Sequence, residues 1–563
     1  MPRTNKIFSD FLAHPLPNSM YLEPINSTHV LDVVKKLKPK TSSGHDEIPT
    51  KIIKESINSF LDPITHIINL SLSTGIIPKQ LKKAKVIPIY KAASPDQLKN
   101  YRPISLLPSF SKIFEKIMFN KIMSFLNSQK ILYKHQYGFR PNHSTIHPIL
   151  YLLSKCAEFN NTQPRKYTMS IFCDLSKAFD VINHEILIKK LEYYGIRGIV
   201  KDWILNYLSD RTQFVQLENC KSGICKIECG VPQGSILGPL LYLIYVNDIA
   251  EATTGNILSF ADDTCLFLGD ANIHNLYKTA NVEANNLYDW FCANKLPLNT
   301  NKTKCIVLRP SYQKIDFTGL TVRINGVQLS QIGKDFDEQC TKFLGVNIDE
   351  HLSWKFHLQY INTKISRGLF MIKQVKHFLP TESLKTLYYS MIHPYITYGI
   401  LAWGNARKSE VNRTYLLQKR AMRIINKSSY NSHTDPLFKK SSILKLEDQY
   451  IYQAILFMHD YEMRKLPDAF TDLFTYNYEN QVNRETRQSS LLSIDRCDST
   501  FASNLPLYNF PKLWNNWITN SKYYSSKTYY STSQTKFKLK ETFLSSYAST
   551  VKCSSLHCVD CME

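Results

Sequence analysis

The sequence contains no run approaching 18 uninterrupted apolar residues, so it lacks the simplest signature of a membrane-spanning helix. Its start, Met1-Pro-Arg-Thr-Asn-Lys6, is polar, and no apolar secretory signal follows it. No strong internal repeat and no long disordered tract is visible, which argues against solenoid architectures and for a mostly folded chain. Only the Ser/Tyr/Lys-rich stretch 521–540 is compositionally biased. The 13 cysteines are odd in number and scattered, unlike the disulfide framework of a small secreted domain, and they favour a reducing compartment. After about Tyr430 no nuclease or RNase H carboxylate constellation is found. These absences predict a soluble intracellular protein, cytoplasmic or nuclear, with no membrane partner. The Lys-rich patches include no decisive localisation signal.

What is present is length and positive charge. A chain of 563 residues can bury several cores. Its 69 Lys and Arg against 47 Asp and Glu leave a formal charge of +22, which favours a polyanionic partner through phosphate neutralisation and counterion release.

Chemistry concentrates in three carboxylates. Asp262 and Asp263 sit in Ser259-Phe-Ala-Asp-Asp-Thr264 between the apolar runs 256–258 and 265–268, a pattern that predicts strand, tight turn, strand with both acids at the tip. Asp174 ends a strand-like run, 167–173, and opens Asp174-Leu-Ser-Lys-Ala-Phe-Asp180. An isolated Asp-Asp pair is usually a solvated turn. Here the interval between the acids holds Cys229-Gly-Val-Pro-Gln-Gly-Ser235, a glycine-rich turn leading into an apolar helix-like element through Val246. Three converging carboxylates repel unless a cation compensates them, and Mg²⁺ is the hard, oxygen-seeking ion of phosphoryl transfer. The combination reads as a nucleotide polymerase centre. Asp174 and Asp262 are expected as direct metal ligands, with the Leu175 carbonyl as an added oxygen. Asp263 is expected either to ligate or to orient the site.

The flanking motifs extend this reading. Phe179 is placed to wall off a sugar 2′-hydroxyl, with a place in the core as the alternative, while Asp180 reads as a structural acid near a helix start. Gln233 offers an amide to sugar or phosphate oxygen, and Gly234 permits close backbone approach to a ligand. Upstream, Lys91 and Arg102 are candidates to hold a triphosphate, Arg102 favoured for its planar fork. Downstream, Lys302 in the loop before Cys305 is a candidate to stabilise the leaving pyrophosphate. For both lysines a solvated surface role is the alternative. The cluster His135-Gln-Tyr-Gly-Phe-Arg140 suggests template or fingers packing without assigned chemistry.

These motifs, in this order, resemble a reverse transcriptase of a non-LTR retrotransposon of the LINE or jockey-like type. The resemblance covers roughly Thr41 to Asn426 and includes Ser42-Ser-Gly-His-Asp-Glu-Ile-Pro49, Asn100-Tyr-Arg-Pro-Ile-Ser105, Gln136-Tyr-Gly-Phe-Arg140, Phe260-Ala-Asp-Asp263, Asn299-Thr-Asn-Lys-Thr303 and Phe343-Leu-Gly-Val346. It implies an α+β right-hand polymerase with fingers, an antiparallel-sheet palm and a helical thumb, followed by a C-terminal region. It further implies RNA-directed DNA synthesis from dNTPs on an RNA template and DNA primer, with two Mg²⁺ ions or Mn²⁺ in their place. Its pattern carries the catalytic acids onto Asp174, Asp262 and Asp263, the sugar gate onto Phe179, and nucleotide contacts onto Arg102 and Gln233. The expected organisation is an extension over 1–40, fingers over 41–160, palm over 161–310, palm end and thumb over 311–430, and a nucleic-acid-binding or structural region over 431–563.

Complete jockey-like proteins carry an endonuclease ahead of the polymerase. The recognised block opens near Thr41, so a truncated copy, a separate gene product or part of a longer reading frame is expected, with target DNA cleaved by an endonuclease in trans. In the thumb, Ile361, Ile365, Leu369, Ile372 and Val375 line one helical face and leave Lys364, Lys373 and Lys376 accessible. Lys512-Leu-Trp-Asn-Asn-Trp517 suits either base stacking or an aromatic core. Cys553, His557, Cys558 and Cys561 supply donor types for zinc, but adjacent His557 and Cys558 make joint ligation awkward. Two competing readings are a decayed or domesticated RNA-binding protein and a DNA-templated polymerase.

Overall fold

The structure is a computed structural model and describes residues 5–91, 94–218, 220–477, 491–520 and 531–547. The Cys553 to Cys561 cluster and residues 521–530 of the biased stretch lie outside the described residues. Among the described residues no helix is long and apolar enough to cross a membrane.

Helices α1 (Ser27–Lys36) and α2 (Thr50–Thr74) lead into strands β1 (Lys83–Tyr90) and β2 (Tyr101–Leu106). Helices α3 (Ser109–Ser128) and α4 (Ile146–Asn161) precede strand β3 (Tyr167–Cys173). Next come α5 (His184–Tyr193), α6 (Gly198–Leu208), strands β4 (Arg211–Leu217), β5 (Cys220–Lys221) and β6 (Cys225–Ile227), and helix α7 (Leu237–Tyr245). Strands β7 (Asn256–Phe260) and β8 (Asp263–Asp270) form the expected hairpin, followed by α8 (Ile273–Ala293) and β9 (Lys304–Leu308). Short strands β10 (Arg323–Ile324), β11 (Val327–Gln328), β12 (Ser330–Ile332), β13 (Thr341–Phe343) and β14 (Val346–Ile348) lead to the long helix α9 (Lys355–Val375). Further helices run to Ser546.

The palm sheet has strand order β12-β9-β3-β8-β7. All its pairings are antiparallel except β12 with β9. Its strands bury both faces, so they read as near-continuous apolar runs instead of alternating with polar residues. The side chains still alternate in space. Met169, Ile171, Cys173, Leu266, Leu268, Cys305 and Val307 enter one core, whereas Phe172, Cys265, Phe267, Ile306 and Leu308 enter the other.

The first core fills with α1, α2, α3, α5, α6, α7 and α8. Helix α7 is buried along its whole length, consistent with its all-round apolar sequence. Its N-terminus is fixed by Glu115 of α3, a buried carboxylate that accepts from the Ile236 N–H at 2.5 Å and from the Ser111 hydroxyl at 3.0 Å. Helix α5 is capped by the Asn183 side chain, which accepts from the Ile186 N–H at 3.0 Å.

The second core joins α4 and the other palm face to α9 and to the C-terminal helices as far as Tyr547. On α9, Ile361, Ile365, Leu369 and Ile372 are buried and Lys373 is exposed. Residues 426–434 interrupt the helices, but the second core continues across that break from Ile425 to Phe438. In the helix Pro506–Asn520, Trp514 is buried in this core while Trp517 packs at its edge.

The fingers sheet runs β2-β1-β4-β5, with β6 also on β4. Register pairs Ile89 with Arg102 and Tyr90 with Tyr101, and the Lys91 N–H donates to the Asn100 carbonyl at 2.8 Å. Lys91 and Arg102 are therefore brought to the same end of one hairpin.

Candidate active site

Antiparallel pairing of β3 with β8 ends at Cys173 opposite Thr264, and the next register position sets Asp174 beside Asp263. Phe260 pairs with Asp263 across the hairpin, leaving Ala261 and Asp262 as a two-residue turn. Ala261 has a φ of 58°, in the left-handed region that an alanine seldom occupies. The three acids thus gather where strand ends and a tight turn meet. They crowd one another electrostatically. The surrounding chain strips water from both hairpin acids and raises them. Asp263, although open to solvent on its outer side, is pushed up to about 6, with Asp262 and Asp174 adding to the rise and Lys91 opposing it. Asp262 is raised by burial and then by Asp174, with Arg102 and Lys91 opposing.

Among the described residues no three His, Cys, Asp or Glu side chains stand close enough together to grip a metal ion as they are. The Lys302 ammonium instead lies 3.9 Å from an Asp174 carboxylate oxygen. The donor chemistry nevertheless fits a hard divalent cation: three carboxylates with two of them raised by desolvation and by one another. The Leu175 carbonyl also stays available. Leu175 faces Leu298 in an antiparallel bridge whose bonds run through its neighbours, Asn299 N–H to Asp174 O at 2.9 Å and Ser176 N–H to Pro297 O at 3.0 Å. Those bonds also pin the loop that carries Lys302 against Asp174.

A cavity of about 1020 Å³ opens between fingers and palm and is bordered by Lys91, Arg102, Leu175, Phe179, Gln233, Gly234 and Asp262. Asp174, Asp263 and Lys302 are not among the residues lining it. The ring of Phe179 stacks on Tyr242 at 4.7 Å and meets the edge of Phe139 at 5.7 Å, so it is braced from behind while facing the cavity.

Gly234, which borders the cavity, has a φ of 119° that demands glycine, and its backbone also packs closely on the fingers, where an added Cβ would lie 2.8 Å from the Ser105 carbonyl oxygen. The Ser105 N–H donates to the Gln233 carbonyl at 2.7 Å and closes the same seam. One Gln233 amide N–H donates to Asp180 at 2.8 Å, so that donor is already engaged within the protein. Asp180 is accordingly a clasp between the loop after β3 and the Pro-Gln-Gly turn, its carboxyl raised by burial.

Sequence reasoning passed over three residues here. Lys177, exposed and with a φ of 53°, lines the cavity, as does Phe139. Gln136, buried, accepts from the Ala261 N–H at 3.0 Å and the Gly138 N–H at 2.8 Å. The cluster 135–140 therefore packs on the hairpin that carries Asp262 and Asp263. No local pattern could have revealed a side chain that bonds backbone so far along the chain, although the nearby Gly138 was visible.

Residues 82–348 match the family described as reverse transcriptase (RNA-dependent DNA polymerase). The chain is 28% identical over 460 residues to the "Probable RNA-directed DNA polymerase from transposon BS" of Drosophila melanogaster, covering 78% of this chain and 49% of that protein. It is 28% identical over 459 residues to the "RNA-directed DNA polymerase from mobile element jockey" of the same organism, covering 78% and 48%. With the "Retrovirus-related Pol polyprotein from type-1 retrotransposable element R1" of Bradysia coprophila it shares 22% identity, over 75% and 40%. The chain thus spans about half the length of the curated relatives it matches. Over 82–348 the chain is thus similar to reverse transcriptases, consistent with a right-hand polymerase fold, and over a longer span it is similar to RNA-directed DNA polymerases of jockey and related elements.

Proposed function

We propose, from that similarity and the setting of the site, that this chain is an RNA-directed DNA polymerase that extends a DNA primer with dNTPs on an RNA template. The observation that carries the reading is the cavity bounded by the hairpin acid Asp262 at one side and the cations Lys91 and Arg102 at another, with an aromatic wall between fingers and palm. A nucleoside triphosphate needs cations for its phosphates, a flat apolar surface for its sugar and carboxylates for its counterions.

Asp174, Asp262, Asp263 and the Leu175 carbonyl are the groups that would hold two divalent ions, Mg²⁺ or Mn²⁺. When bound, such ions lower the pKa of the attacking 3′-hydroxyl and neutralise the pyrophosphate as it leaves. The chain's own contribution is placement. Arg102 grips phosphate oxygens through two N–H groups of its fork, and Lys91 adds a point charge from the same hairpin end. Phe179, backed by Tyr242, leaves no space and no hydrogen-bond partner for a 2′-hydroxyl. Lys302 balances charge at Asp174 and, on a long exposed side chain, can swing toward the leaving group.

Primer extension on an RNA template with dNTPs and Mg²⁺ tests the reading, with the same primer on a DNA template alongside. The purified chain is expected to extend on RNA, and Asp262→Ala/Asp263→Ala to lose at least about 100-fold in rate. Extension on DNA alone would make the chain a DNA-templated polymerase, and a folded, RNA-binding chain with no extension would make it a binding protein.

A further inference from the structure

We infer that Gln136 is a positioning residue that sets the geometry of the Ala261-Asp262 turn and thereby the affinity of the hairpin acids for a divalent ion. The metal half of this inference rests on the polymerase reading; the hold on the turn rests on geometry alone.

Three observations converge. First, the Gln136 amide oxygen accepts two backbone N–H groups, from Gly138 at 2.8 Å and from Ala261 at 3.0 Å. Both partners are obligate donors, so only the oxygen can face them and the amide orientation follows from the bonding. Second, the chain around Gln136 is laid along β7 as an extra short strand. Tyr137 N–H donates to the Ser259 carbonyl at 2.8 Å, and Ser259 N–H donates to the His135 carbonyl at 3.0 Å. Third, the approach is too close for any other residue at 138: an added Cβ would sit 2.2 Å from the Ala261 nitrogen.

Consequences for the turn follow directly. Ala261 at a φ of 58° is held in a backbone conformation that costs free energy for a residue with a side chain, and it persists only where its surroundings fix it. Gln136, 4% exposed, ties down that residue's N–H, and no water is needed to satisfy it. Asp262 is the next residue along. A change in the turn therefore moves the carboxylate that borders the cavity while leaving Lys91, Arg102 and Phe179 on separate elements.

The test uses the full chain with Mn²⁺ as the probe, its binding read by electron paramagnetic resonance, together with hydrogen exchange of the 257–264 segment. Gln136→Leu keeps the volume and removes the acceptor. It is expected to unprotect the Ala261 amide, weaken Mn²⁺ binding by about 10–100-fold, and lower kcat with little change in the KM for dNTP. Gln136→Glu restores an acceptor to both N–H groups and is expected to keep amide protection and Mn²⁺ affinity at or above the wild-type level. Should Gln136→Leu fail to fold, Gln136→Asn, too short to reach both donors, is expected to show the same two changes in smaller measure. Wild-type extension together with unchanged Mn²⁺ affinity in the folded Leu or Asn variant would overturn the role of Gln136 alone. A wild-type chain that neither extends a primer nor binds Mn²⁺ in a manner sensitive to Asp262→Ala/Asp263→Ala would overturn the polymerase reading and the metal half, and the exchange data would still decide whether Gln136 holds the turn.

Discussion

On one face of the palm sheet Met169, Ile171 and Cys173 pack into a core whose members all lie between Phe11 and Leu329; on the other, Phe172, Phe267 and Leu308 pack into a core that draws on residues from Tyr137 to Tyr547. The same strands serve both, one residue out of phase. The first face is therefore closed entirely by chain that precedes α9, from the N-terminal extension through to Leu329. The second is closed by α4, by the thumb helix α9 and by the C-terminal helices, with the helices Thr500–Ser503 and Pro506–Asn520 lying against α4. Closing a sheet with distant chain makes the C-terminal stretch a structural part of the same folded unit as the palm sheet. The second core also reaches the Asp262–Asp263 hairpin from behind. Phe470 is fully buried, and its ring lies 6.4 Å from that of Tyr137, the neighbour of Gln136, and 5.6 Å from that of His147.

The harshest way to break this comparison is to end the chain after Ile425. If the second face depends on the C-terminal helices, the shortened protein lacks the buried aromatics Phe457, Phe470, Phe510 and Trp514 and exposes α4 and the palm face they cover. Aggregation and loss of cooperative unfolding are expected, measured by size-exclusion chromatography and thermal circular dichroism. A soluble, cooperatively folded remainder would show that the first core suffices. A milder probe is Phe470→Ala. Deleting a fully buried ring from a closed core costs about 3–5 kcal/mol, read from urea unfolding. Hydrogen exchange should also rise in the 257–264 hairpin, because Tyr137 loses its support there. Phe291→Ala on the first face is expected to cost a similar amount while leaving that hairpin's exchange closer to wild type.

The two faces differ as well in how far the sequence disclosed them. The hairpin, β3, the Pro-Gln-Gly turn and the loop before β9 were legible because each is a local pattern: apolar runs of strand length, a paired acid at a turn, glycine where backbone needs it. Gly234 shows the limit. The residue and the reason were readable, a close backbone approach, but not the partner, which is Ser105 on the fingers strand. Gln136 stands in a motif whose local pattern discloses no chemistry, because its effect is a bond to the backbone of Ala261. Helix α4 is buried nearly all round, so it lacks the amphipathic stripe that would have announced which face it covers. For the same reason the break at 426–434 read as a boundary, although the core passes through it: loop chemistry is local, and packing across it is not.

A smaller effect sharpens the comparison without any mutation. His135, His147 and His357 all lie on the second-core side, and burial is the main cause that lowers each to about 4. Their unfolded value is near 6.5. A base whose folded pKa is depressed binds more protons when unfolded throughout the interval between the two values, so stability rises with pH there and is lost as pH falls from about 6.5 toward 4. At pH 6 the loss is roughly 1 kcal/mol per histidine. Acidification from pH 7.5 to 6 should thus increase exchange in α4, α9 and the helix Leu446–Glu462 more than in α5, α7 and α8, followed segment by segment at equal intrinsic exchange. The raised carboxyls of Asp262 and Asp263 act in the opposite sense, since their repulsion is relieved on protonation, and the hairpin itself should loosen least. Uniform loosening of both faces would mean that the cores unfold as one unit, and that the division between them is one of packing geometry without separate stability.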